Sequence, residues 1–391
     1  MFGLIIICLT IVIAILGYSI LPDSTPDAND QKLELQIKTP GFSVKMLKVR
    51  KNEDSYKVNF FYKMCFGEPS DYTYLSLYDY SFSGNDIVIE EYTGNEPNRG
   101  TKVRHNLADV VYDIDYNFPI KNDEVNGIIE FYQYSTHQKM STTVKELQSI
   151  IEKNNIISKK FILGTDRNGR DMLSRILIGT RISLSVGFIA VFISLVIGLL
   201  LGSMAGYFRG WIDEAIMWLI NVVWSIPTLL LVIAITLALG KGFWQVFVAV
   251  GLTMWVEVAR IVRGQVLSLR EKEFIEAGRA LGFKHFRIIM AHVLPNVMGP
   301  VIVIAASNFA SAILTEAGLS FLGIGAQPPT VSWGKMINDH RPFIFIPDAS
   351  YLAFTPGIAI MLLVLAFMLV GNGLRDALDS KSIDQKSLMG H

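Results

Sequence analysis

The sequence predicts an α-helical polytopic membrane protein: six transmembrane helices, with a β-rich extracytoplasmic insert between the first helix and the other five. Three observations carry this. Hydrophobic residues make up 51% of the 391 and charged residues only 18%, against roughly 25% charged in a soluble chain. Stretches free of Asp, Glu, Lys and Arg run over 1–22, 182–208, 215–240, 288–315 and 349–374, and a hydrocarbon core of about 30 Å needs roughly 20 apolar helical residues. The charges are also partitioned. Residues 22–160 hold 17 Lys/Arg and 21 Asp/Glu, whereas the much longer 161–391 holds 18 and 14. This apolar content excludes a disordered chain, and the absence of a basic excess argues against a nucleic-acid partner. Cys8 lies in an apolar run and Cys65 stands alone in a polar one, so no disulfide framework or cysteine-based metal site is readable.

Residues 1–21 form the first span. A cleaved signal peptide is the rival reading, but no Lys or Arg precedes the apolar run and no A-x-A-like site follows before Pro22. The insert, 22–160, reads as a folded domain. Lys32 to Lys38 alternates with period two, as a half-buried strand does. Asp71 to Ile89 and Gly127 to Tyr134 are further β-like runs, with turn residues at Gly84–Asn85 and Gly94–Asn95. Val144 to Ile157 reads as a short helix. The tyrosine density of the insert suits sheet core or a ligand surface. The second span is 182–208 and the third 215–240, where Pro227 kinks or opens the helix. The fourth, 242–256, extends to about Ala259, with Glu257 near the membrane surface and paired to Arg260 at i,i+3. The fifth is 288–315. The next charge-free run, 317–334, is too rich in Gly and Pro for a helix and reads mostly as a loop or re-entrant turn. The sixth is 349–374, and 381–391 forms a tail. With residue 1 in the cytoplasm, inner segments carry eleven Lys/Arg against nine outside, a modest preference for that orientation.

Residues 260–295 carry most information. Glu273 to Leu281 consists of good helix formers, Gly282 is a C′ stop, and Lys284 to Leu294 restarts a helix before Pro295 opens the next span. Ala277 and Gly278 have almost no side chain, so a second protein is expected to approach that backbone closely. The bland alternative is an ordinary amphipathic loop. Glu276–Ala277–Gly278–x3–Gly282, followed by Leu294–Pro295, resembles the EAA loop of ABC-type importer permeases. Gly278 stands where that pattern has Ala, and His292 where it has Ile.

Other segments resemble one branch of that family, the dipeptide, oligopeptide and nickel permeases. They are Leu163–Gly164–Thr165–Asp166–Arg167–Asn168–Gly169–Arg170–Asp171, Ser174–Arg175, Gly179–x–Arg181–x–Ser183, Ile226–Pro227, Glu316, Leu319 to Gly325, Gln327–Pro328–Pro329 and Trp333–Gly334. The match covers about 161–380, a permease core of five spans with its coupling loop. The resemblance implies a type I importer permease fold and the C-type subunit of an importer for di- or oligopeptides. It implies a bacterial inner-membrane location with both termini cytoplasmic. It also implies a second homologous permease, cytoplasmic ATPase subunits and an extracytoplasmic substrate-binding protein as partners. Glu276, Ala277, Gly278, Arg279 and Gly282 are then the ATPase-coupling residues. The insert is outside the usual pattern and is expected to be an accessory domain contacting the binding protein, the partner permease or the substrate.

Glu316 and Pro227 are the candidates for the translocation pathway. For Glu316 a hydrogen bond fixing the turn at Gly318 is the competing role, because intramembrane carboxylates face either a cavity or a partner. His285 and His292 are seven apart, a poor spacing for a metal pair. No G-x-x-x-x-G-K-[ST], G-x-S-x-G or H-E-x-x-H occurs. The chain is therefore not expected to be an enzyme or to bind a cofactor, and ATP and Mg belong on the partner ATPase. A membrane-anchored extracytoplasmic binding or sensor protein is the alternative function. Six spans exceed what an anchor needs.

Overall fold

The computed structural model describes residues 1–54, 58–123, 126–240, 242–327 and 329–378. Lys241, Pro328 and the tail 381–391 with Lys381 and Lys386 lie outside the described residues. The chain divides into two compact units. One comprises 16–178 with 346–349, and the other 1–15, 179–345 and 350–378, taken over the described residues.

The first of these is built on strands. In chain order it contains β1 (Ser43–Arg50), α2 (Phe60–Phe66), β2 (Tyr72–Ser83), β3 (Asp86–Glu91), β4 (Lys102–Asn106), α3 (Leu107–Val111), β5 (Lys121–Asp123), β6 (Ile128–Tyr132), β7 (Lys139–Thr143), α4 (Val144–Ile150) and β8 (Ile156–Lys160); α1 (Phe2–Leu16) precedes them. Five strands pair in the order β4-β3-β2-β1-β8, and β5-β6-β7 form a second sheet. All named pairings are antiparallel, with Leu47 opposite both Leu75 and Ile156. Gly84, at φ +58, supplies the turn that lets Ser83 pair with Asp86. Adjacent strand residues point to opposite faces, yet Met46 and Leu47 are both fully buried. β1 is therefore covered on both sides. Leu47 joins Leu77, Ile87, Ile89, Leu107, Ile129, Phe131 and Leu147, while Met46 joins Leu35, Val44 and Phe161.

One expectation fails here. Lys32 to Lys38 is not a strand: Leu33–Leu35 is a 3-10 turn and Ile37 has φ +51. Its backbone bonds go to a loop instead of a ladder. Lys32 N–H donates to Asn168 O (3.1 Å), Ile37 N–H to Asp166 O (3.1 Å), and Thr165 N–H to Lys38 O (3.0 Å). A Cβ on Gly169 would sit 1.7 Å from Lys32 O, and Gly169 has φ +72. The helix expected over Val144 to Ile157 forms as α4 and a π turn, Ile151–Asn155, and ends two residues short. The Asn155 amide donates to Lys48 O (2.6 Å) and Val110 O (3.1 Å), and the β-branched Ile156–Ile157 continue as β8. The sequence places the start of the helical core at 161. In the structure 161–178 packs with the strands, because Asp166 is fully buried and accepts from Arg170 Nε and Nη2 at 2.8 Å each. Asp171 caps the next helix by accepting Ser174 N–H at 2.8 Å. Burial pushes the Asp171 carboxyl up, with the Ser174 bonds opposing it.

The second unit is helical: α5 (Met172–Phe208), α6 (Gly210–Trp224), α7 (Thr228–Leu239), α8 (Phe243–Arg270), α9 (Glu273–Ala280), α10 (His285–Ile288), α11 (Leu294–Phe321), α12 (Trp333–His340) and α13 (Tyr351–Leu378), joined by α1. Among the described residues, five helical runs are long and apolar enough to cross a membrane, and a sixth span is available if the bent pair α6 and α7 counts as one. That pair turns by 92° at Ser225–Pro227. Proline cannot donate the bond that would continue α6. α5 and the run 285–321 each hold 37 residues, about 55 Å at 1.5 Å per residue, so each outreaches the bilayer core.

α5 and α8 pack backbone to backbone. A Cβ on Gly198, Gly202 or Gly206 would lie 2.5 Å from Val258 Cβ, 2.5 Å from Ala259 O and 2.8 Å from Arg263 O respectively. This i, i+4, i+8 glycine row permits an approach that other residues forbid. The expected Glu257–Arg260 pair does not form among the described residues. Arg260 instead lies over the Trp224 ring at 3.4 Å, where delocalised charge meets a π face, and Glu257 stays exposed. The loop expected over 317–334 begins later than that, since α11 continues to Phe321.

Candidate functional site

Helix α9 starts with Glu273 and Glu276 in its first turn, where carboxylates suit the positive end of the helix dipole. It ends at Gly282, which has φ +77. Phe283 N–H donates to Gly278 O (3.0 Å) and Gly282 N–H to Arg279 O (2.9 Å). This is the paired closure of a Schellman C-cap, which only glycine adopts without strain.

The two faces of α9 differ. Ile275, 1% exposed, and Gly278 point inward, the former into a cluster with Val262, Val266, Ile288 and Val293. Phe274 (45% exposed), Ala277 and Leu281 (72%) point outward at i, i+3 and i+7, flanked by exposed Glu273 and Glu276. The sequence offers both Ala277 and Gly278 to an approaching surface. Only Ala277 is so placed, because a Cβ on Gly278 would touch Phe283 at 3.5 Å. Phe286 and Met290 extend the exposed apolar area, at 74% and 48%.

The loop is braced from behind. Tyr207, near the end of α5, bonds His285 Nδ1 through its hydroxyl at 3.0 Å. Its carbonyl accepts Arg270 Nη1 at 2.8 Å, and the Arg279 guanidinium stands 5.2 Å over its ring. Asp213 of α6 takes two bonds from Arg263, at 2.5 and 2.6 Å, a bidentate pairing with fixed geometry. Arg209 pairs with Glu271. His292 stacks on Phe283, so the two histidines serve separate packing roles. A π turn, Ile289–Val293, then leads into α11. Pro295 lacks an N–H for Ala291, and the wide turn is set just ahead of it. The second half of the loop is thus the end of one continuous 37-residue apolar run.

Glu316 is 2% exposed. Its Oε1 accepts Ser320 Oγ at 2.6 Å and Ser332 Oγ at 2.8 Å, and Ser320 Oγ accepts Ala326 N–H at 3.2 Å. The carboxylate ties loop 322–332 to α11 instead of fixing the turn at Gly318. Gly334 then packs on Ala317, where a Cβ would meet the carbonyl at 2.5 Å, and Gly179 packs on Trp333, where one would meet the indole at 2.8 Å. Scattered sequence segments therefore meet in one knot. Arg181 Nε donates to Ala14 O at 2.7 Å, capping the negative end of α1. Pro227 is exposed at the α6–α7 break. Elsewhere, Gln265 of α8, Asn296 and Ser307 of α11, and Asn372 and Arg375 of α13 line a groove of about 890 Å³. For Asn296, Ser307 and Asn372 the signal was present as polar residues inside charge-free stretches.

Residues 198–383 match the family described as binding-protein-dependent transport system inner membrane component. The dipeptide transport system permease protein DppC of Alkalihalophilus pseudofirmus is 47% identical over 218 residues, 56% of this chain and 71% of that one. The chain belongs to the permease family of binding-protein-dependent transport systems. The glutathione transport system permease protein GsiD of Escherichia coli O6:K15:H31 is 44% identical over 228 residues, 58% of the permease and 75% of GsiD. Among solved structures, the inward-facing MetNI methionine ABC transporter matches 53% of the permease and 97% of that chain, with 20% identity and a TM-score of 0.43. The permease is thus a membrane subunit of an ABC importer, integral to the inner membrane and working with an ATPase and a substrate-binding partner. Its family match contains the loop and, apart from Gly179, the Glu316 knot, and begins well after the strands.

Proposed function

We propose that the permease imports di- or oligopeptides together with a second homologous permease, and that α9 is its docking helix for an ATPase that holds ATP and Mg. Two relatives named for dipeptide and glutathione transport support the peptide class. The observation that carries the coupling claim is the exposed stripe Phe274–Ala277–Leu281, rimmed by Glu273 and Glu276 and braced on α5, α8 and α11. An unfilled apolar stripe on a rigid support is suited to a partner groove, and full burial of Leu281 contributes about 1.5–3 kcal/mol. The polar groove between α8, α11 and α13 is the inner part of the pathway, where amides and Arg375 meet peptide backbone and carboxylate. Both termini are cytoplasmic and the strand-rich unit lies outside.

The test is reconstitution with the ATPase, using Glu276→Lys and Leu281→Asp. Both variants insert and melt as the parent does, but peptide uptake falls at least tenfold and the ATPase no longer co-purifies. Parental uptake by both removes α9 from the coupling role. Gly278→Trp is the contrasting variant: facing inward, it lowers the melting temperature.

A further inference from the structure

Helix α2, Phe60–Phe66, reads FFYKMCF and contains no acidic residue. Phe60, Phe61, Tyr62 and Phe66 are 57%, 67%, 53% and 63% exposed. At 100° per residue, Phe61, Tyr62, Cys65 and Phe66 fall within an arc of about 140°, and all four are exposed. Lys63 and Met64 are half-buried on the other side. Lys63 pairs with Glu68 at 2.6 Å. None of the aromatic rings of α2 joins the clusters that fill the strand-rich unit. A surface patch of this kind is a contact site for something apolar.

Its place in the chain identifies the partner. α2 packs against the turn Gly17–Ser19, which follows the apolar helix Phe2–Leu16 without a break. Its far end is pinned just downstream: Glu68 N–H donates to Ser24 O at 2.9 Å, and a Cβ on Gly67 would lie 2.8 Å from that same carbonyl. Residues 17–24 are where the chain leaves the bilayer, so a helix fixed to them stands at headgroup level. Aromatic side chains favour that boundary, and an in-plane helix with one apolar face rests there.

We propose that α2 is a membrane-interface anchor, its Phe61–Tyr62–Phe66 face seated at the headgroup–acyl boundary of the bilayer. The strand-rich unit is then held to the membrane at a point of its own, in addition to its chain connections.

The full-length permease in phosphatidylcholine/phosphatidylglycerol nanodiscs tests this by nitroxide accessibility. One label is placed on native Cys65 in Cys8→Ser, and a second on Phe61→Cys in Cys8→Ser/Cys65→Ser. A control label goes on Lys121→Cys, an exposed strand position, in that same background. Power saturation by oxygen should exceed that by a water-soluble nickel chelate several-fold at 61 and 65, with the order reversed at 121. Nickel access at 61 and 65 equal to that at 121 overturns the proposal. Protection from both reagents that arises only when partner subunits are added also overturns it, since the face is then a protein contact. Should Phe61→Cys fail to fold, the native Cys65 label gives the same reading.

Discussion

Glu316 has one oxygen occupied by two serine hydroxyls and is buried, and these bonds join Ser332 to α11. The reading separates from a pathway role by substitution. Glu316→Gln keeps an acceptor for Ser320 and Ser332, whereas Glu316→Ala leaves both hydroxyls buried without it, at a cost of about 1–3 kcal/mol. The alanine variant should melt several degrees lower in detergent, and the glutamine variant close to the parent. An alanine variant with parental melting but no uptake would return Glu316 to the pathway. The sequence singled out this carboxylate but not its partners. Ser332 is 16 residues away across a turn, and nothing local announces that contact.

At the scale of elements, legibility followed the range of the interactions. The stop of α9 at Gly282 is a local event, a left-handed residue closing two backbone bonds, and the sequence displays it. Which side of α9 faces inward depends on Ile288 and Val262, and Gly278 was accordingly misplaced. The alternation of Lys32 to Lys38 looked like a strand because Leu33 and Leu35 are two apart. Leu33 is in fact 67% exposed and Leu35 fully buried, the loop at 163–169 having taken the backbone bonds. Gly198, Gly202 and Gly206 were in plain view at helical spacing, but their partner α8 was not. Gly202→Val should force α5 off Ala259 and lower the melting temperature by several degrees, with loss of uptake. Gly264→Ala, on the same α8 with open space around it, should change neither. Equal melting of the two variants would show that the close approach carries no stability.

For the whole molecule, the spans were legible because apolar length alone marks them. The side on which each loop lies rested on eleven Lys/Arg against nine. The structure accounts for the arginines that oppose this bias. Arg170 and Arg175 converge on Asp166, and Arg181 caps α1. Each makes a structural bond. In a Cys8→Ser/Cys65→Ser background, a membrane-impermeant thiol reagent added to intact cells should modify Lys121→Cys and Arg341→Cys, and leave Arg279→Cys untouched until the membrane is opened. Modification at 279 in intact cells would invert the topology.

The glycine row on α5 also has a consequence in the genetic code. Every single-base change that replaces glycine by another amino acid adds at least a Cβ, and at 198, 202 and 206 that atom would fall within 2.8 Å of α8. These three codons have no conservative neighbour. Positions such as Gly264 and Gly318, with nothing within 4 Å of an added Cβ, are free of that particular clash. The helix pair is therefore closed to gradual drift at its centre: at 202 and 206 the nearest atom is a backbone carbonyl oxygen, which no side-chain change in α8 removes, so a replacement there requires the two helices to move apart.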